Sequence, residues 1–184
     1  MKKIFFCYLI ISLFSVCFAS DKDQIIKNFS KTNSLSFNFT QTINGKDESG
    51  NCIIMYPKKI YCKYDLRYNK VLVSNGTSLV IKSDKNKQYY RYALKSTPLN
   101  YLLDKDFILK LIKETKIKIL DKKFFYFSIN ENNQFINIFF DINNFNLIGW
   151  QTEDIYQNLS VTRIYDLKKN IMVNEKKFIL PKLN

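Results

Sequence analysis

The sequence has 184 residues, 29 of them lysine or arginine against 16 acidic ones, for a formal charge of +13, and it contains no histidine. Without histidine the usual general base, the commonest metal ligand and every Ser-His-Asp or Cys-His arrangement are excluded. The basic balance could suit nucleic acid, but only Arg67, Arg91 and Arg163 offer the bidentate fork that base readers favour, so no nucleic-acid partner is expected.

Residues 1–19 read as a cleaved export signal: Lys2 and Lys3 precede an apolar run over 4–18, and Cys17-Phe18-Ala19 is a small-x-small site. The run is shorter than the roughly 20 residues a membrane-spanning helix needs. The alternatives are a lipidated Cys17, behind the bulky Val16, and an uncleaved anchor. Cleavage leaves residues 20–184 as a single domain with a formal charge of +11, spread as lysine over nearly every segment. Such diffuse charge reads as solvated surface, with a weak attraction to anionic membrane or an acidic partner left open.

In the mature chain, residues 21–31 read as a short helix with Ile25, Ile26 and Phe29 on one face. Residues 35–41 alternate apolar and polar strictly, as a strand with one dry face does. Segments 50–56 and 59–65 form a hairpin centred on Pro57, which brings Cys52 and Cys62 almost opposite each other. In an exported protein they form either a disulfide or two buried thiols; a one-residue change of register decides which. Segments 71–74 and 78–82 flank Asn75-Gly76, expected as a type I′ turn, and 88–94 resumes as an aromatic strand. Ser96-Thr97-Pro98 predicts a hydroxyl-capped helix start, with Leu99, Leu102 and Leu103 at helical spacing. A second helical piece over 104–113 carries Phe107, Ile108, Leu111 and Ile112. Five strand-like segments follow, at 115–120, 123–129, 134–141, 145–153 and 157–166. A last edge strand is expected at 177–181.

About eleven strands and a few short helices define the expected fold: mainly β, a single curled antiparallel sheet forming an unclosed barrel. The strands carry aromatic and branched residues on both faces, and the helices are too few to cover two faces. A long sheet of this kind curls around an apolar concavity, with the short helices as its lid. From the alternation, the wall residues are Phe37, Phe39, Ile60, Tyr64, Leu79, Ile81, Tyr90 and Tyr92, and the lid residues are Pro98, Leu99, Leu102, Leu103, Phe107 and Leu111. Ile60→Glu is then expected to spoil the binding of an apolar ligand in this concavity, or its release, with the fold intact. The paired acids Asp47-Glu48 and Asp104/Asp106 sit in no metal-holding or acid–base pattern, and Gly45, Gly50, Gly76 and Gly149 are isolated, so no phosphate loop exists. No catalytic residue, cofactor or metal is expected.

Phe37-x-Phe39-Thr40-Gln41, Gly50 with the Pro57 hairpin, residues 72–76, and Thr97-Pro98-Leu99 with Leu102-Leu103 resemble, in order and spacing, the LolA family. That resemblance implies a periplasmic carrier of acylated lipoproteins that acts as a monomer, takes its cargo from an ATP-driven release complex in the inner membrane and passes it to an outer-membrane receptor. It also implies a basic residue before the hairpin proline that bonds to the lid. Here that position is Tyr56, so either Lys58 or Lys59 substitutes from beyond the turn, or the lid is held differently; Cys62 likewise occupies an aromatic position. The alternatives on the same fold are a lipidated outer-membrane receptor and a lipid-sensing regulator.

Overall fold

The computed structural model describes residues 20–67, 69–85, 87–131, 134–153 and 158–183. The expected signal at 1–19 lies outside them. Eleven strands form one antiparallel sheet: β1 Ser34–Ile43, β2 Lys46–Met55, β3 Lys59–Tyr64, β4 Lys70–Asn75, β5 Ser78–Ser83, β6 Gln88–Ala93, β7 Lys118–Leu120, β8 Phe124–Glu131, β9 Gln134–Asp141, β10 Leu147–Glu153 and β11 Leu159–Lys169. Their order is β6-β5-β4-β3-β2-β1-β11-β10-β9-β8-β7. Each half is a hairpin meander, and the halves join where β1 pairs with β11. The outermost strands, β6 and β7, do not pair with each other, so the curl is unclosed.

The register puts the apolar alternation on one concave face. Leu35, Ile54, Ile60, Ser74, Leu79 and Tyr92 form one row across β1 to β6, and Phe37, Cys52, Cys62, Leu72, Ile81 and Tyr90 form the next. On the other half, Phe125, Phe127, Ile129, Ile136, Ile138, Phe140 and Trp150 continue the core. Three helices cover this face: α1 Asp21–Ser30, α2 Leu99–Leu102 and α3 Lys105–Glu114. Ser20 and Asp23 close a capping box on α1, whose Ile25 and Phe29 are buried. Phe29 meets Phe140 and Tyr56 edge-on, at 5.9 and 5.7 Å between ring centroids.

Three local expectations are corrected. The β4–β5 reversal falls on Gly76-Thr77 and only Gly76 has positive φ, because the Asn75 side chain accepts from the Thr77 and Ser78 N–H groups and keeps Asn75 in the strand. With glycine first, this follows the type II′ pattern, not I′. Residues 177–181 add no strand: Glu175–Phe178 is a 3-10 turn capped by Asn174. Only Phe178 of that segment is buried, so the tail crosses the convex face of β3 and β4 as a strap, with Lys59 paired to Glu175 at 2.9 Å. At the lid, Pro98 precedes α2 with no side-chain cap, and the Thr97 hydroxyl donates backwards to the Leu94 carbonyl.

Candidate functional site

A cavity of about 170 Å³ lies between the concave face of β1–β5 and the segment that opens α2. Phe39, Ile60, Tyr64, Leu79 and Ile81 line it from the sheet, and Pro98 and Leu99 from the lid. All eight expected wall residues stand on this face, because one register carries the alternation through β1 to β6. Phe37 is nevertheless buried away from the cavity, edge-on to Trp150 at 6.1 Å. Tyr90 and Tyr92 are 45% and 44% exposed: β6 is the last strand of the sheet, and among the described residues no strand lies beyond it. Of the other lid residues, Leu102 and Leu103 are buried in the core, while Phe107 and Leu111 pack against it half-buried. The buried face of α3 is instead Ile108 and Ile112.

Sequence reasoning missed Gln41, Cys52, Cys62, Leu72, Thr97, Trp150, Thr152 and Thr162 in the lining. Leu72 was within reach, since it alternates with Ser74 and Lys70. The other half's contribution depends on β11 pairing with β1 and on the bulge between Leu147 and Gly149, neither of which a pattern of alternation reveals. Gln41, Thr152 and Thr162 give the sheet side of the cavity a polar floor. There the Tyr64 hydroxyl donates to Gln41 Oε1 at 2.9 Å, and Gln41 Nε2 donates to Ser160 Oγ at 3.0 Å. Beside it Lys70 pairs with Glu48 and sits 3.9 Å above the Tyr64 ring. Burial, with the Glu48 charge second, pushes the Tyr64 phenol far above its ordinary value, so it stays a neutral hydrogen-bond donor. The floor is internally satisfied, which makes apolar chain length, not charge, what the remaining space accepts.

The wall also contains a disulfide. Cys52 and Cys62 face each other in the β2–β3 register with Cα atoms 4.1 Å apart, and both sulfurs border the cavity. A bridge here constrains the unfolded chain and removes two thiols from the cavity wall. The Cys52→Ala/Cys62→Ala protein is expected to lose about 2 kcal/mol of stability, a fall of about 6 °C in Tm by calorimetry. An unchanged Tm would show that the hairpin needs no such constraint.

Lys58 ties the lid to the sheet. Lys58, in the left-handed region at φ 69°, turns its side chain back under α2. Its Nζ lies 3.0 Å from Asp104 Oδ2 and donates to Asn100 Oδ1 at 2.9 Å and to the Asn100 carbonyl at 3.2 Å. Its backbone N–H donates to the Leu103 carbonyl at 2.7 Å, and its own carbonyl accepts from Ser74 Oγ at 2.9 Å. Asp104 also caps α3 by accepting from the Phe107 N–H. Of the alternatives for holding the lid, Lys58 is the one this geometry realises, from the far side of the proline. Lys59 points instead to Glu175 on the strap. Tyr56 stacks edge-on to Phe29 with its hydroxyl buried and unpartnered, and that burial pushes its phenol well up.

Among the described residues no group of three or more acidic or cysteine side chains could hold a metal, and no helix is long and apolar enough to cross a membrane. The family model described as outer membrane lipoprotein carrier protein LolA matches residues 30–180. A comparison with curated proteins gives no match. Among solved structures, an uncharacterized conserved protein from Thermus thermophilus has a TM-score of 0.50 at 6% identity, covering 88% of this chain and 93% of that one. A LolA superfamily protein from Nitrosomonas europaea has a TM-score of 0.45 at 10% identity, covering 88% and 99%. At such identities the likeness concerns the fold alone.

Proposed function

The chain belongs to the LolA family of outer membrane lipoprotein carrier proteins, and from that membership we propose that it is an exported carrier that shields the acyl chains of a lipoprotein between the inner and outer membranes. The observation that supports this reading is the apolar cavity closed by a lid that one lysine fastens. Each CH₂ removed from water is worth about 0.8 kcal/mol, so one long acyl chain left exposed costs on the order of 10 kcal/mol. Lipoproteins therefore need a greasy cavity to cross an aqueous compartment, and a carrier for them needs no reactive group.

Volume dictates the mechanism. Ligand pockets are generally about 300–1,000 Å³, and the cavity with α2 in this position, about 170 Å³, is too small for a whole lipid anchor. The lid must swing away for loading. The four-residue helix α2 is suited to this, because a segment so short is held by its contacts and not by its own hydrogen bonds. Loading breaks the Lys58 contacts with Asn100 and Asp104, and re-forming them on the empty cavity helps to expel the cargo. Affinity stays moderate, as delivery requires. The donor would be an ATP-driven release complex in the inner membrane, and the acceptor an outer-membrane receptor.

Recovery of the protein from periplasm, followed by mass spectrometry, tests the reading: co-purifying acylated lipoprotein and a free Ser20 terminus are the expected results. An acylated Cys17 would make the protein a membrane-anchored receptor instead. For the cavity itself Ile60→Glu is a poor probe, since Ile60 is 1% exposed and a carboxylate there would also cost the fold. Ile81 lines the cavity yet is half-buried. Ile81→Glu is expected to weaken binding of dipalmitoylated peptide roughly 100-fold while Tm falls by only a few degrees; undiminished binding by the folded variant would remove the cavity from the mechanism.

A further inference from the structure

β6 is an outer strand of the sheet, next to the β5 wall of the cavity. The Leu94 N–H donates to the Thr77 carbonyl at 2.8 Å, and the β5–β6 register then fixes the alternation: Gln88, Tyr90 and Tyr92 turn their N–H and C=O groups toward β5. Tyr89, Arg91 and Ala93 turn theirs outward, where among the described residues no strand pairs with them; the Ala93 carbonyl accepts from Ser96 Oγ at 2.8 Å, so the edge offers an added strand Tyr89, Arg91 and the Ala93 N–H. The opposite edge, β7, is three residues long, whereas β6 is six. Sheet edges are commonly protected by proline, lysine or a bulge, and β6 contains none of these.

The side chains on this edge point the same way. Tyr90 and Tyr92 stack on each other at 6.4 Å with their rings nearly parallel, and their register partners are Ile81 and Leu79 of the cavity wall. An added strand would thus lie about 10 Å, two strand spacings, from the acyl site, with two tyrosine rings as the path between. The charge along this part of the chain is lopsided: Lys82, Lys85, Lys87, Arg91 and Lys95 lie between residues 82 and 95, with Asp84, 3.6 Å from Lys82, the single acid among them.

We propose that β6 is a second binding site, which takes an extended, acidic peptide segment as a twelfth strand, and that this segment is the polypeptide of the cargo beyond its acylated residue. This assignment of the peptide to the cargo rests on the carrier reading. Main-chain pairing supplies affinity without demanding a particular sequence, which suits a carrier of many proteins. The lysines select against basic chains, and the tyrosine pair covers the glycerol-bearing junction.

The test uses the full mature protein and a dipalmitoylated peptide with a serine- and aspartate-rich tail. Amide hydrogen exchange should slow at Tyr89, Arg91 and Ala93. A tail N-methylated at alternate residues, which cannot pair along one edge, should bind about tenfold more weakly and give no protection. Arg91→Pro removes an outward donor without touching a main-chain β5–β6 bond and should reproduce that loss, while Arg91→Ala, which shares with it the loss of the guanidinium and of its 3.3 Å bond to Ser78 Oγ, should lose only the charge-dependent part. Equal binding of the N-methylated tail, or protection confined to the lid, overturns the proposal. Dipalmitoylglycerol separates the two readings: its failure to bind would refute the acyl carrier. The unacylated peptide at millimolar concentration would still have to slow exchange at the same three amides for the edge site to stand.

Discussion

Gly50→Val is expected to cost about 4 kcal/mol, lowering Tm by about 12 °C and leaving little of the 5–15 kcal/mol that holds an ordinary domain together. Gly50 sits in β2 between Phe39 of β1 and Tyr64 of β3, on the concave face. A Cβ at this position would lie 2.3 Å from the Lys63 carbonyl oxygen and 2.8 Å from the Tyr64 Cα. Both are main-chain atoms of the neighbouring strand, so no side chain can rotate away and β2 must part from β3. The absent side chain also lets Phe39 and Tyr64 meet edge-on at 5.0 Å across the glycine, and Tyr64 in turn anchors the polar floor through Gln41. One methyl group therefore disturbs strand pairing, an aromatic contact and the cavity together. Thermal unfolding of Gly50→Ala and Gly50→Val measures this; a drop of less than 2 °C for valine would mean that the two strands separate at little cost.

Much of this arrangement is legible in the sequence because a sheet with one dry face writes its register in alternation. Phe37, Phe39, Ile60, Tyr64, Leu79, Ile81, Tyr90 and Tyr92 share a face for that reason alone. Which strand lies at the edge is a different kind of fact. It depends on the sheet order, and without that order Tyr90 and Tyr92 look like wall when they are rim. Trp150 and Thr162 reach the cavity only because β11 returns to β1 from more than a hundred residues away. At the tail, Phe178, Ile179 and Leu180 are as apolar as a strand, but only Phe178 is buried and Ile179 is 70% exposed. No short-range pattern distinguishes such a strap from a twelfth strand. Asp104 shows the same limit in its chemistry: read along the chain it is a helix-start charge, and only the folded hairpin brings Lys58 beneath it.

The second large effect is expected at that contact. Lys58→Glu should free the lid while leaving the eleven strands in place. The substitution removes two charge-assisted hydrogen bonds to Asn100 and sets a carboxylate against Asp104 where an ammonium stood at 3.0 Å. Lysine and aspartate side chains here are 28% and 31% exposed, so solvent screens the ion pair and it contributes at most about 1 kcal/mol. Most of an expected loss of about 3 kcal/mol comes from the Asn100 bonds and the new repulsion. Because α2 has four residues and Lys58 is its main polar tether, the loss should concentrate there: hydrogen exchange at Leu102 and Leu103 should quicken about 100-fold, with β1 to β3 little changed. Acyl binding should become faster and tighter, since loading no longer has to break the Lys58 contacts, and transfer to an acceptor should slow. The double variant Lys58→Glu/Asp104→Lys restores the opposite charges and should recover part of the lid protection. If the single variant loads and delivers lipid as wild type does, closure of α2 does not drive release, and the disulfide-bearing wall would have to supply it.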